Sequence, residues 1–421
     1  MSEPAERTRA LRFDLLFYLT GLTFAVATAF ASEFYDYRVW GNFATLGYLF
    51  ALGVTLLRRS RWLAVAAAAL LGVLAPTLFL VLRRVPEFRW GPWPWSFPAQ
   101  PEVWVVERSA RLLLDHGTPY ADLTALGRPP VPDDYTPYGP VMTVFGLPRA
   151  VFGDAAVTDA RLVFLAVAVL AVLLSLRSLG WPRVPVVAAQ LAAVSPLTGL
   201  TVAVAGDDLA VTALIVLATV LVYRAGPVPA GLVAALAVNA KLSALPALAV
   251  LVVAVAAARG RRALAVYLGT VLATTVVVVL PVLLAGPGAF VEHVIKFPAG
   301  LGLARSPAGS PLPGHLIASA GPAGPAVAMG LLAGTAVAIA VWLLLRPPRS
   351  PADTAARIAV GLGAAIVLAP ATRWGYLIYP LTMLGAMITL RTAATPSTVG
   401  AAEPHLPGDT PVGPTESPSQ P

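Results

Sequence analysis

The 421-residue chain reads as an all-α polytopic membrane protein with about twelve transmembrane helices. Charged residues make up only 12% of it, against roughly 25% in a soluble domain. Apolar residues make up 57%, the mean hydropathy is +0.77, and apolar runs long enough to span a bilayer recur along the chain. The net charge of +8 is almost all arginine, standing mainly at the ends of those runs. There it marks orientation rather than a nucleic-acid surface, so no nucleic-acid partner is expected. The absence of cysteine excludes disulfides, thiolate metal sites and cysteine nucleophiles. Heavy use of Ala, Val, Pro and Arg suits a high-GC bacterial genome, and the expected location is a bacterial plasma membrane.

Residues 1–10 carry Arg7 and Arg9 and are placed in the cytoplasm. The first apolar run, 11–31, has no Ala-x-Ala site with a soluble domain after it and reads as a retained span. An aromatic outer loop (SEFYDYRVWG) leads to a second span at 42–57, ended by Arg58, Arg59 and Arg61, and a third follows at 62–82. These make an N-terminal three-helix segment, 1–83.

Residues 84–157 form one long polar interruption, read as an outer loop. Trp90, Trp93 and Trp95 alternate with prolines there, which forbids a regular helix and suits the membrane interface. Between 102 and 115, Val103, Val106, Ala110 and Leu113 share one helical face, while Glu107, Arg111 and Asp115 share another. That pattern predicts a helix lying on the membrane surface, ended by Gly117, with a second short surface helix at 141–152.

The bundle at 158–391 begins with spans at 160–176, 184–205 and 208–223. Residues 227–258 lie between Arg224 and the cluster Arg259, Arg261 and Arg262. One long helix would put that cluster outside; two short ones broken at 239–243 (NAKLS) keep both basic sites inside. Spans at 263–285, 324–345, 355–371 and 375–390 complete twelve, with both termini cytoplasmic. The tail, 392–421, is rich in Pro, Thr, Ser and Gly and reads as disordered; His405 falls in it and is set aside.

This topology places Glu102, Glu107, Asp115, Asp122, Asp133, Asp134, Asp154, Asp207, Asp208 and Glu292 outside or at the outer boundary. A carboxylate there can deprotonate a hydroxyl or hold a divalent cation, or it is simply a solvated loop charge. Asp207 and Asp208 sit in a tight turn between spans, either as a polar hairpin tip or as a substrate or cation site. Lys241 lies in the middle of an apolar hairpin, where it either serves a function or snorkels to the surface. A second outer loop, 286–323, carries His293, Lys296, Arg305 and His315; it is a phosphate-binding group or a Gly/Pro-rich connector with scattered charges. Arg373, outside against the topological rule, hints at an anion. No Gly-rich nucleotide loop, HExxH or Cys/His metal spacing is present. No metal ligands are therefore assigned and no cofactor is expected beyond an optional divalent cation; energy for any reaction must arrive with an activated substrate.

The stretch from Glu102 to Tyr120, with Gly117-Thr-Pro-Tyr120 and then Tyr135-Thr-Pro137, resembles glycosyltransferase family 87 of the GT-C superfamily. The likeness extends over roughly residues 97–390, through Gly206-Asp207-Asp208, Asn239-Ala-Lys241 and the stretch from Arg373 to Pro380. The family's acidic position falls on Glu102, where Glu for Asp keeps the carboxylate and extends it by one methylene. Three spans precede the loop where the superfamily usually has one. The resemblance implies a hexosyltransferase that moves a sugar, with mannose the typical one, from a polyprenyl-phosphate donor to a lipid or glycan acceptor at the outer face. In it Glu102 is the base and attack proceeds with inversion. Tyr120, Tyr135, Tyr138, Asp207 and Asp208 are expected to bind substrate, and Lys241, His293, Lys296 and Arg373 are the candidate cations for the leaving phosphate. Membrane lipids are the remaining partners. Twelve spans also suit a transporter or lipid flippase, although the halves show no internal repeat and transport needs no large outer loop. A non-catalytic scaffold is a third reading.

Overall fold

The computed structural model describes residues 3–57, 60–84 and 97–394. Arg58, Arg59, the Trp90, Trp93 and Trp95 stretch, and the tail from 395 onward with His405 lie outside the described residues. Within them the chain is all-helical, with one isolated bridge between Gly309 and Thr372. Among the described residues eight helices are long and apolar enough to cross a membrane, or nine with one bent pair counted as a span.

The N-terminal three are α1 (Glu3–Ala31), α2 (Tyr35–Leu56) and α3 (Arg61–Leu82). A π-helical turn at Leu70–Leu74 interrupts α3, and the buried Trp40 indole donates to the carbonyl of Gly72 inside it (2.9 Å). The surface helix expected in the long loop is α4 (Pro101–His116), started by Pro101 in its first turn and ended by Gly117. Its Val103, Val106 and Ala110 are buried as their spacing requires. Glu107 is buried too, so the opposite face is not the solvated one that its charges suggest. The second short helix is a run of turns from Pro140 to Phe152.

α5 (Ala160–Ser178) is capped by Asp159, whose carboxylate accepts from the Arg161 N–H. The span expected at 184–205 is instead two helices, α6 (Val186–Ala193) and α7 (Pro196–Val204), bent by 40°. Pro196 cannot continue the ladder and pushes Ser195 to extended backbone, where its hydroxyl caps the new helix. α8 (Asp207–Arg224) and α9 (Pro227–Ala240) follow, and the chain breaks at Lys241, which is extended (φ −150°, ψ 126°). That is the break the arginine positions require.

α10 (Leu245–Ala285) is one element only in name. Gly260 within it has φ 80° and ψ 178°, a conformation only glycine takes without strain. Arg259 reaches back to the carbonyls of Val222 and Tyr223 at the end of α8, while Thr275, past the kink, returns to the level of Asn239. The two arms of α10 therefore run in opposite senses. α11 (Gly324–Leu345), α12 (Pro351–Leu368) and α13 (Ile378–Ala394) complete the bundle. One core joins α4, α5, α8, α9, α10, α12 and α13; a second joins α1–α3 to α7 through Tyr18, Trp40, Tyr48, Val194 and Leu200. The N-terminal helices thus share their core with the bundle.

Candidate functional site

The polar groups inside the molecule converge where α4 begins. Gln100, just before α4, donates its backbone N–H to the Val204 carbonyl (2.9 Å) and its side-chain amide to the Asp36 carboxylate (2.8 Å). The buried Arg161 guanidinium donates to the carbonyls of Pro98 (3.0 Å) and Ala203 (2.9 Å). These bonds fix the entry to α4 and put Glu102 in its first turn, where the helix dipole favours a carboxylate. Arg373 Nη1 donates to Glu102 Oε1. The other oxygen, Oε2, is buried and has no partner among the described residues. The Glu102 charge in turn holds the Arg373 guanidinium above its ordinary range.

Beside this pair lies a second charged cluster. Lys241 is 9% exposed, and its ammonium donates to Asp207 Oδ2 (2.7 Å) and to Asp208 Oδ1. It sits over the rings of Tyr138 (5.4 Å) and Tyr376 (5.2 Å). Tyr379 also donates to Asp208 Oδ1 (2.7 Å) and shares a hydrogen bond with Ser243 (3.0 Å). Lys241 is therefore not snorkelling; it is buried between two carboxylates. Tyr138 and Tyr376 feel the charges of both clusters, and burial raises the Tyr138 phenol well above its ordinary range. Among the described residues no cluster of His, Cys, Asp and Glu is arranged to hold a metal. The Lys241 ammonium takes the space between Asp207 and Asp208 that a divalent cation would need.

Tyr138 is brought here by a backbone approach. Gly139 donates to the Ala240 carbonyl (3.1 Å), and a β-carbon on it would stand 2.1 Å from the Asn239 oxygen. Only glycine lets the loop settle on the end of α9. Tyr120 locks the same loop by donating to the Tyr138 carbonyl (2.8 Å).

The second loop is docked onto the first. His293 is fully buried: Nε2 bonds the Ala121 carbonyl and so carries the proton, leaving Nδ1 to accept from the Thr136 N–H, both at 2.9 Å. Burial lowers its pKa, consistent with a neutral ring. Tyr135 stacks on Phe297 (ring centroids 4.0 Å) and donates to Glu292 (3.1 Å), which also pairs with the half-exposed Lys296 (3.3 Å). His293 thus joins two loops through the ring nitrogens a phosphate would need. His315 lies apart, on the Pro370 carbonyl.

Of the residues singled out in the sequence, Glu102, Tyr138, Asp207, Asp208, Lys241 and Arg373 meet in one place. Tyr120, Tyr135, His293 and Lys296 form the loop junction next to it. Sequence reasoning missed Asp36, Gln100, Tyr376 and Tyr379. The two tyrosines lie within the RWGYLIYP stretch already noted for Arg373, and Asp36 is an acidic residue at the start of an apolar run; both were available signals.

The family model of glycosyltransferase family 87 matches residues 135–370, more than half of the chain. Neither curated proteins nor solved structures give a significant match.

Proposed function

The chain belongs to glycosyltransferase family 87, and from that premise we propose that it moves mannose from a polyprenyl-phosphate donor to a lipid or glycan acceptor at the outer face of a bacterial plasma membrane. The membrane glycosyltransferase activity follows from the family, which does not favour a transporter or flippase; donor, acceptor and side are our reading. Beyond the eight or nine spans that length and composition give, our reading takes α8, α9 and the two arms of α10 as separate passes, which makes twelve crossings with both termini cytoplasmic. The positive charge of Arg259, Arg261 and Arg262 at the Gly260 turn supports that orientation.

The observation that carries the mechanism is Glu102 Oε2, buried and without a partner among the described residues. A buried acceptor without a partner costs about 1–3 kcal/mol, and such groups persist where a ligand completes them. In this reading Oε2 takes the proton from the acceptor hydroxyl as that oxygen forms its bond to the anomeric carbon. The bond from that carbon to the phosphate oxygen breaks, the configuration inverts, and polyprenyl phosphate leaves. Arg373 orients Glu102 through Oε1 and presents its charge to the departing phosphate. Asp207 and Asp208 outnumber Lys241 and leave a negative field suited to the positive charge that builds on the sugar. Tyr138 and Tyr376 wall the sugar site, while Tyr120, Tyr135, His293 and Lys296 hold its loops. A divalent cation, if used, would have to displace Lys241.

The test is transfer from labelled polyprenyl-phosphate mannose in membranes holding equal amounts of wild type and Glu102→Gln. The amide keeps an oxygen for Arg373, so the variant should fold. Its rate should fall by about 10²–10⁴, the usual contribution of a general base. A rate within a fewfold of wild type would remove Glu102 from the role and turn attention to Asp207 and Asp208. No transfer by either protein would reject this donor.

A further inference from the structure

The other side of α4 carries a different arrangement. At about 100° per residue, Arg111 stands half a turn round the helix from Glu102, with Arg108 and Glu107 flanking it. Together with Arg84, Phe97, Trp104, Arg149 and Asp154 they line a cleft of about 330 Å³.

Its charges form a ladder. Arg161 and Arg84 share Asp159 (2.9 and 3.0 Å); Arg84 and Arg149 share Glu107 (2.7 and 3.3 Å); Arg149 and Arg111 share Asp154 (2.9 and 2.7 Å). The ladder begins and ends with a guanidinium, so four arginines hold three carboxylates. Arg108 adds a fifth cation. It donates to the carbonyls of Asp133 (2.9 Å), Asp134 (3.0 Å) and Tyr135 (3.3 Å), which are neutral acceptors, and its guanidinium lies 5.5 Å from the Trp104 ring. Among the described residues it makes no ion pair, and its Nε is buried without a hydrogen-bond partner. The ladder therefore keeps one guanidinium more than its carboxylates, with Arg84 and Arg149 almost wholly buried, and Arg108, which feels the charges of Asp133 and Asp134, lines the same cleft.

Clustered cations repel one another, and desolvation makes that worse. A cleft that keeps more guanidinium groups than its ladder of carboxylates neutralises is suited to an oxyanion, and guanidinium forks match phosphate geometry. We propose that this cleft is a second binding site, separate from the Glu102 site, for a phosphate group carried by an acidic lipid headgroup or free in solution. The phosphate sits against Arg108 and Arg111, in the cleft that Trp104 and Phe97 also line. Because it lies across α4 from Glu102, it is independent of the sugar-transfer reading.

The test uses the purified full chain in zwitterionic detergent, with no sugar donor present. One arm titrates inorganic phosphate against chloride at matched ionic strength and follows thermal unfolding. The other adds short-chain phosphatidic acid or phosphatidylcholine and counts bound lipid by native mass spectrometry. Wild type is compared with Arg108→Gln, Arg111→Gln and, as a control on general charge, Arg262→Gln. Loss of one charge-assisted contact should weaken binding about tenfold in the first two and leave the control unchanged. Binding of phosphatidic acid alone assigns the site to a lipid headgroup; binding of inorganic phosphate as well shows that the anion suffices. The proposal is overturned if neither ligand binds wild type better than chloride or phosphatidylcholine, or if all three variants lose binding equally. Should Arg108→Gln not fold, Arg111→Gln decides, since among the described residues its half-exposed guanidinium pairs with Asp154 alone.

Discussion

Replacing Lys241 by methionine removes the ammonium and keeps the length of the side chain. Asp207, Asp208 and Lys241 are 1%, 5% and 9% exposed, and the lysine donates to both carboxylates. Without it, two adjacent buried carboxylates face each other with only the Tyr379 hydroxyl still bonded to Asp208. Removing one partner of a buried ion pair costs about 3–5 kcal/mol, mainly because the remaining charge is left without compensation. A shift of 2–4 °C per kcal/mol holds for domains of about 150–250 residues and shrinks with size, so the unfolding temperature should drop on the order of 5–10 °C. Adding Asp207→Asn and Asp208→Asn to the same chain removes the charges themselves and should restore most of the loss. The assay is thermal unfolding of purified protein in detergent, with wild type, single and triple variants side by side. A Lys241→Met protein that unfolds within a degree of wild type would show that the carboxylates do not depend on the ammonium. A triple variant no better than the single one would locate the loss in packing rather than charge.

The His293 ring is neutral in the fold because burial lowers its pKa. Below a pH of about 6.5 the unfolded chain binds a proton that the folded one resists, so stability should fall from pH 7 to 5.5, by at most about 1.4 kcal/mol per pH unit. His293→Gln, which can still bond both loops but cannot titrate, should flatten that slope; an unchanged slope would place the titration elsewhere. Gly139→Ala should push the loop off α9, since its β-carbon would meet the Asn239 oxygen at 2.1 Å. Overpacking of this kind costs about 1–3 kcal/mol, and sugar transfer should fall with it because Tyr138 moves; normal activity in this variant would show that the Tyr138 position is not critical.

Much of the architecture was legible because membrane helices write themselves as apolar runs closed by arginine. The break at Lys241 could be placed from the charges of Arg224 and of Arg259, Arg261 and Arg262 alone, and it stands there. The bend between α6 and α7 was missed although Ser195-Pro196 marks it, because hydropathy runs through it unbroken. On α4, periodicity separated Val103, Val106 and Ala110 from Glu107 and Arg111, but it cannot distinguish solvent from a polar interior. Glu107 is buried because Arg84 and Arg149 arrive from distant parts of the chain. The same holds for the site. Glu102 and Arg373 are 271 positions apart, and Lys241 stands 34 from Asp207. Residue type could nominate each of them, and only the fold could pair them.

The clasp between Asp36 and Gln100 bears on what counts as one unit of this protein. A chain begun at residue 97 would keep the whole stretch, 135–370, that the family shares. It would also lose the carboxylate that grips the amide of Gln100 two positions before Glu102, and the helices whose core continues into α7. The boundary by which kinship is recognised and the boundary of the working machine are different lines, and the first three helices lie between them.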